Sequence, residues 1–165
     1  MWLMTIAAAL ALGGTAPLCR SGPSNQTDRV ASAASVPWRT DQIIEPEALV
    51  KALSAATGQK PLVICVGFEV LYQGGHIVGA RFAGPAAKPK GLEALKREVR
   101  DIPRDKQIVL YCGCCPWKRC PNIRPAFRTM EELGFTSVKV LSIPTNLRED
   151  WTAKGYPIEK GADRQ

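Results

Sequence analysis

The chain has 165 residues, with 22 Lys and Arg against 15 Asp and Glu, so its formal net charge is +7. This length suits one domain of ordinary size with some residues outside it. The basic residues are spread along the chain without a run of five, and they form no platform of interleaved basic and aromatic residues. The composition therefore favours a general attraction to anions and argues against a nucleic-acid partner. The single histidine, His76, excludes a metal centre built from several histidines.

The chain opens with an apolar run, Met1 to Leu18, which is short for a membrane-spanning helix. A secretory signal peptide fits better, and residues 1–19 are predicted to be a signal peptide or an N-terminal anchor. Cys19 is a candidate for lipid attachment, although Leu18 precedes it where such signals usually have a small residue. We therefore predict export, to the periplasm if the source is a Gram-negative bacterium. Membrane contact is expected only through an uncleaved or lipidated N-terminus.

Residues 20–42 have little to bury and are predicted to form a flexible linker before a domain at residues 43–161. The domain opens with an amphipathic helix that starts at Glu45-Pro46-Glu47 and ends at Gly58. Proline and acidic residues suit the first turn of a helix, and glycine suits its end.

Strand and helix patterns then alternate along the domain. Residues 61–66, PLVICV, are a continuous apolar run that is typical of a strand buried on both faces. Further strands are predicted at 74–80, 108–111 and 137–141, and helices at 91–100, 122–133 and 146–154. Short connections between such elements predict an α/β domain with a mainly parallel central sheet and helices on both faces.

The strand at 108–111 leads directly to Cys112, and a loop with two basic residues, Lys118 and Arg119, follows before the next helix. A cysteine there lies at the carboxyl end of a strand, where open α/β sheets form their ligand crevices. The N-terminus of the helix and the basic residues lower a thiol pKa and hold an anion nearby. Cys112 is therefore a candidate nucleophile. The alternative is a buried strand-end cysteine beside a metal or disulfide cluster.

Six cysteines occur, and four of them fall within nine residues, which indicates a chemical site rather than a scattered disulfide scaffold. Two interpretations of Cys114, Cys115 and Cys120 remain open. They could resolve an oxidised Cys112 as disulfides, or together with Cys112 they could bind a soft metal such as zinc or copper(I). Cys65 ends an earlier strand, where it either packs as a small apolar residue or turns its thiol toward the Cys112 loop as a further redox partner.

Three segments resemble the rhodanese family of sulfurtransferase-type domains. Residues 75–80, GHIVGA, resemble the family's GHIPGA turn, and residues 108–112 resemble its strand leading into the active-site cysteine. Gly134-Phe135, a following strand, Trp151 and Gly155-Tyr156-Pro157 resemble its carboxyl-terminal pattern. The chain departs from the family at the end of the first strand, where Cys65 and Gly67 replace the usual aspartate and arginine, and in a longer, cysteine-rich loop.

The resemblance implies a single rhodanese-like domain in which Cys112 carries a persulfide. It implies that loop residues bind the donor, namely Gly113, Cys114, Cys115, Lys118 and Arg119. The expected reaction moves sulfane sulfur from thiosulfate or a similar small anionic donor to a thiol or cyanide-type acceptor, with protein thiols among the candidates, and needs no cofactor. The alternative functions are a non-enzymatic metal or sulfur carrier on the same fold and a thiol–disulfide relay.

Overall fold

The structure, a computed structural model, describes residues 36–162. A five-stranded sheet forms the centre of the domain, and all of its pairings are parallel. Its strands lie in the spatial order β1-β6-β5-β2-β4. Their bounds are Ile43–Ile44 (β1), Leu62–Cys65 (β2), Arg81–Phe82 (β4), Ile108–Tyr111 (β5) and Val138–Leu141 (β6). A separate antiparallel pair joins His76–Ile77 (β3) to Ile158–Glu159 (β7).

Helices connect the strands. Their bounds are Pro46–Ser54 (α1), Glu69–Gly74 (α2), Pro89–Glu98 (α3), Ile123–Glu132 (α4) and Leu147–Asp150 (α5). Short 3-10 turns occupy Thr40–Gln42, Trp117–Arg119 and Thr152–Lys154. The predicted α/β class, with a mainly parallel sheet, is confirmed. The third helix begins at Pro89, before the predicted start, because proline suits the first helical position.

Alternate residues of the central strands supply two separate cores, one on each face of the sheet. On β5, Ile108 and Leu110 pack into one cluster with α3 and α4. Val109 and Tyr111 pack into the other with α1, α2 and the segment around Trp151. Complete burial of such a side chain stabilises the fold by about 1.5–3 kcal/mol. All four residues of β5 are buried. This strand therefore fixes the position at which the following loop begins.

The folded domain begins earlier than the sequence indicated, because residues 36–42 pack on it rather than belonging to a linker. Trp38 is only 4% exposed, and its ring lies 5.7 Å from Trp117 and 5.6 Å from Phe127 between centroids. The predicted signal peptide or anchor, and the linker up to residue 35, lie outside the described residues. Among residues 36–162, no helix has the length and apolar character needed to cross a bilayer.

Candidate active site

Cys112 occupies the carboxyl end of the central strand β5. It continues the alternation of Ile108 and Leu110 and therefore points to the α3–α4 face, where it is 3% exposed. The hydrogen bond from the Val66 N–H to the Tyr111 carbonyl oxygen, 2.8 Å, ties the backbone just before it to the neighbouring strand. The hydrogen bonds of the sheet thus fix the backbone that carries the thiol. The residues after Cys112 lie beyond the strand and form the loop.

Two glycines make room for Cys112 and set the turn that follows it. A Cβ atom at Gly67 would overlap the Cys112 carbonyl oxygen and would lie 3.1 Å from the Cys112 sulfur. The place where the resembling family usually has an arginine is therefore closed to any side chain here. Gly113 has a φ of 81°, a conformation that glycine adopts without strain. Its carbonyl oxygen accepts the Leu147 N–H at 2.9 Å, which fixes the loop against α5.

The loop gathers the predicted cysteines around Cys112. The Cys112 and Cys114 sulfurs are 3.0 Å apart, and the Cys114 and Cys115 sulfurs 3.3 Å apart. Cys120 hydrogen-bonds to Cys112 from the buried side. All four sulfur atoms lie within 4.8 Å of one another. The spacing in the sequence thus becomes one thiol cluster at the end of the strand.

Asn122 is a member of the site that the sequence analysis treated only as the start of a helix. It is 1% exposed, and its side-chain Nδ2 donates to the Cys112 sulfur at 3.4 Å. Its Oδ1 accepts the Ala87 N–H at 2.9 Å, and this second bond orients the amide so that its N–H group faces the thiol. The Asn122 side chain does not cap α4. It links the loop before α3 to the Cys112 sulfur.

Hydrogen bonds to Cys112 outweigh its burial. The Cys120 thiol, followed by the Cys114 thiol, the Cys114 N–H and the Asn122 amide, stabilises the thiolate and lowers the pKa of Cys112 to about 5. Burial and the contact with Cys112 raise the pKa of Cys114. The hydrogen bond to Cys112, together with burial, raises the pKa of Cys120. At neutral pH one thiolate therefore lies among thiols that keep their protons and donate them.

Cys112 opens onto a cleft of about 620 Å³ between α2, the Cys112 loop and α5. Among residues 36–162, two basic residues, Arg148 and Lys160, line it, and no acidic residue does. The rest of its wall is mainly apolar, and Val70 and Leu71 on its rim are 75% and 50% exposed. Such a cleft attracts anions to the thiolate and also has room for a ligand much larger than an inorganic ion.

The predicted donor-binding residues are not all at the cleft. Gly113 and Cys114 line it beside Cys112, and Cys115 lies behind Cys114. Lys118 and Arg119 are exposed on the 3-10 turn and are absent from its lining. The Lys118 Nζ atom instead lies 5.4 Å from the centre of the Trp117 ring. That these two residues bind the donor stays a prediction.

Cys65 lies on the other side of the same sheet. It pairs with Tyr111 in the register of β2 and β5 and belongs to the second core cluster. Its thiol contacts the Cys112 carbonyl oxygen at 3.9 Å rather than the four clustered sulfurs. It also borders the cleft. The structure thus places it next to the Cys112 backbone, on the apolar α1–α2 face, and its predicted redox role is not tested by this position.

His76 is buried and takes part in a hydrogen bond. Its Nδ1 lies 2.8 Å from the Tyr72 carbonyl oxygen, and its Nε2 lies 3.3 Å from the Glu159 carboxylate. The imidazole stacks on the Tyr72 ring with centroids 3.7 Å apart. The residue therefore ties α2 to the β3–β7 pair, away from the clustered thiols.

Several solved structures share this arrangement of strands and helices. The rhodanese-like domain of the Anabaena sp. Alr3790 protein is 20% identical with a TM-score of 0.52, and the match covers 75% of this chain and 89% of that one. The BH2092 protein from Bacillus halodurans is 18% identical with a TM-score of 0.54, over 84% and 87% of the two chains. A thiosulfate sulfurtransferase from Pseudomonas aeruginosa is 22% identical with a TM-score of 0.54, over 73% of this chain and 19% of that longer chain.

No protein-family model and no curated protein sequence matches the chain. The structural similarity therefore speaks to the fold, which agrees with the parallel sheet, the strand-end cysteine and the loop-then-helix arrangement described above. The described part of the chain has the rhodanese-like fold.

Proposed function

We propose that this chain is a sulfurtransferase that takes sulfane sulfur from thiosulfate, or from a similar small anionic donor, onto Cys112. The observation that carries the proposal is the thiolate of Cys112 at the carboxyl end of β5, opening onto a cleft whose charged lining, within the described part of the chain, is the basic pair Arg148 and Lys160. The rhodanese-like fold, which a thiosulfate sulfurtransferase shares, supports the same reaction class.

The chemistry is nucleophilic catalysis in two displacements. The Cys112 thiolate bonds to the outer sulfur of thiosulfate, the S–S bond breaks, and sulfite leaves with the electron pair. The outer sulfur then passes to a thiol or cyanide-type acceptor and regenerates the thiolate. Such a covalent intermediate gives ping-pong kinetics. The persulfide is an anion, so the donors around Cys112, the Asn122 amide and the Cys114 N–H, are suited to stabilise it.

The acceptor is proposed to be a thiol, with protein thiols included because the cleft is much larger than thiosulfate. No nucleic acid is expected, and no cofactor is needed for this chemistry. Export is proposed only from the apolar run at residues 1–18, which lies outside the described residues.

The proposal is tested by mixing the reduced protein with thiosulfate in the absence of an acceptor and of oxygen. The expected result is a burst of one sulfite per chain from the wild type and none from the Cys112→Ser variant. Sulfite release that survives this substitution, or no release by the wild type with any anionic sulfane donor, would remove the proposal.

A second candidate function, a carrier of a soft metal ion, is favoured by one observation: the four loop sulfurs lie within 4.8 Å of one another. Four thiolates around zinc with bonds of about 2.3 Å require sulfurs about 3.8 Å apart. The Cys112–Cys114 and Cys114–Cys115 separations, 3.0 and 3.3 Å, are shorter, so the cluster would have to expand around a metal.

The two functions are separated by metal analysis of protein purified without oxygen. The carrier function requires about one zinc or copper ion per chain, held by the thiols and lost in the Cys120→Ser variant. The sulfurtransferase function requires sulfite release from protein that contains fewer metal ions than protein chains.

A further inference from the structure

Cys112 and Cys114 stand together on the wall of the cleft. Their sulfurs are 3.0 Å apart, so a disulfide needs an approach of only about 1 Å more. The residue between them, Gly113, has a φ of 81°, which lets the chain turn within a single residue. Any group that Cys112 carries is therefore formed in contact with a second thiol.

We infer that Cys114 discharges the Cys112 persulfide as hydrogen sulfide, so that the chain acts as a dithiol-dependent thiosulfate reductase. The inference rests on the proposed function, because it needs the persulfide that the sulfur donor leaves on Cys112. It goes further by naming what leaves the site and which second residue takes part.

The two steps balance without a further reactant. In the first, thiosulfate gives its outer sulfur to the Cys112 thiolate and sulfite leaves. In the second, the Cys114 sulfur gives up its proton and attacks Cys112 Sγ, a Cys112–Cys114 disulfide forms, and the outer sulfur leaves as hydrosulfide with a proton. The outer sulfur gains two electrons and the two thiols lose two. One thiosulfate and two thiols thus give sulfite, hydrogen sulfide and one disulfide.

The competing attack, on the outer sulfur of the persulfide, gives no net reaction. If Cys114 attacks the outer sulfur instead, the persulfide moves to Cys114 and can return to Cys112. Attack on Cys112 Sγ releases hydrosulfide, which diffuses out of the open cleft and is lost to the site. An intramolecular thiol at contact distance also has a large kinetic advantage over an acceptor that arrives from solution. Release of sulfide is therefore the step that consumes the persulfide.

Cys114 is better placed for this step than the other two loop cysteines. Cys112 and Cys114 line the cleft into which the outer sulfur must leave, whereas Cys115 and Cys120 do not. Cys115 contacts Cys114 at 3.3 Å and is reached through it. Cys120 is 0% exposed within the apolar cluster on the α3–α4 face of the sheet, where an external reductant cannot reach its sulfur.

A single turnover draws both electrons from the chain itself. Later turnovers need an external dithiol, either a small molecule or a pair of thiols on a protein, that reduces the Cys112–Cys114 disulfide by exchange. The partly exposed Cys114 on the cleft wall is the sulfur that such a reductant can reach. The inferred partner is therefore a dithiol rather than a monothiol or cyanide.

The test is a single turnover with equimolar thiosulfate, without oxygen and without reductant, in which sulfite, sulfide and remaining thiols are measured separately. The wild type is expected to release one sulfide per sulfite and to lose two thiols, with a disulfide between Cys112 and Cys114 in peptide maps. Cys114→Ser also changes a donor to the Cys112 thiolate, so its sulfite is measured in the same experiment; its sulfide-to-sulfite ratio is expected to fall at least about ten-fold, and the Cys112 peptide is expected to keep one extra sulfur atom. Cys115→Ser is the matched comparison for the loss of one loop thiol: whatever its rate of sulfite release, its sulfide-to-sulfite ratio should stay near that of the wild type.

A wild type that releases sulfite but keeps a stable persulfide and no sulfide overturns this inference and leaves the proposed function standing. The absence of sulfite overturns both. If Cys114→Ser does not fold, Cys114→Ala replaces it, and the sulfide-to-sulfite ratio and peptide map of the wild type are used as well. A Cys112–Cys120 or Cys112–Cys115 disulfide in the wild type also overturns the assignment to Cys114.

Discussion

Two cysteines of nearly equal burial lie at the ends of neighbouring strands, and only one of them belongs to the thiol cluster. Cys65 at the end of β2 is 2% exposed and Cys112 after β5 is 3% exposed. The Cys65 thiol faces the Cys112 carbonyl oxygen and hydrogen-bonds with the Tyr111 hydroxyl among apolar residues. The Cys112 sulfur faces donors, namely the Asn122 amide and the Cys114 and Cys120 thiols.

The hydrogen-bond partners of a buried thiol therefore affect its ionisation more than burial does. Burial disfavours a thiolate, whereas hydrogen bonds donated to the sulfur favour it. The alternation of the strand is what separates the two environments, because it sends Cys65 to the α1–α2 face and Cys112 to the α3–α4 face. The second face holds the Cys114 and Cys120 side chains and the start of α4.

The largest expected effect is the loss of the Cys112 sulfur. Cys112→Ser should lower sulfite release from thiosulfate by at least about 10³-fold, as expected for removal of a nucleophile. Cys65→Ala should instead act mainly on stability and lower the free energy of unfolding by about 1–3 kcal/mol, as for other buried truncations. Burst assays and urea unfolding measure the two quantities. The comparison breaks if Cys65→Ala folds normally and yet loses the sulfite burst.

The next effect concerns the space that Cys112 needs. Gly67→Ala should lower the free energy of unfolding by about 1–3 kcal/mol, as other overpacking changes do. Sulfite release should fall by at least about ten-fold, because a small displacement of a reacting group is costly. Gly74→Ala is the matched stability control, since a Cβ there meets nothing within 4 Å. Equal stability of the two variants would show that the backbone at Gly67 can move away.

A smaller effect is expected from the donor that faces Cys112. With its pKa lowered to about 5, Cys112 should react with iodoacetamide at a rate that is constant near neutral pH and falls as the pH drops through that value. Asn122→Ala removes a donor to the thiolate, so the pKa of Cys112 should rise and the profile should move to higher pH by about one unit. The alkylation rate of Cys112, followed by peptide mass spectrometry, measures it.

Two controls distinguish this positioning role from a structural one. Asn122→Asp keeps an acceptor for the Ala87 N–H but puts a negative charge beside the sulfur, so it should raise the pKa of Cys112 further than Asn122→Ala does. Asn122→Gln keeps both groups on a longer chain. A profile that stays in place in both Asn122→Ala and Asn122→Asp, with normal folding, would mean that the amide does not act on the thiolate.

Sequence reasoning reached the parts of this site that depend on local pattern. The apolar run at 108–111 predicts a buried strand, and the strand-then-loop-then-helix order places Cys112 at its end. Contacts between segments that are distant in the sequence could not be predicted in this way. Trp38 anchors the start of the domain from within a polar stretch, and Asn122 is oriented by Ala87, which is 35 residues away. Neither contact leaves a trace in the spacing of the residues.

The basic residues illustrate the same limit. Lys118 and Arg119 are close to Cys112 in sequence, which made them the expected anion site. In the structure, Trp117 is buried at 6% exposure, and the turn that buries it leaves the two residues after it in solvent. Arg148 reaches the cleft instead, because α5 docks on the loop through the Leu147 N–H and the Gly113 carbonyl oxygen.

The smallest expected effect therefore separates two arginines. Arg148→Ala should raise KM for thiosulfate by about 3–10-fold, the size of one partly exposed charge-assisted contact, with little change for a neutral organic trisulfide. Arg119→Ala should change both KM values less, because its side chain is absent from the cleft wall. Arg148→Lys, which keeps the charge, should recover most of the thiosulfate effect. A larger, donor-selective loss in Arg119→Ala than in Arg148→Ala would reverse the assignment and would mean that the loop turns toward the thiolate when the anion binds.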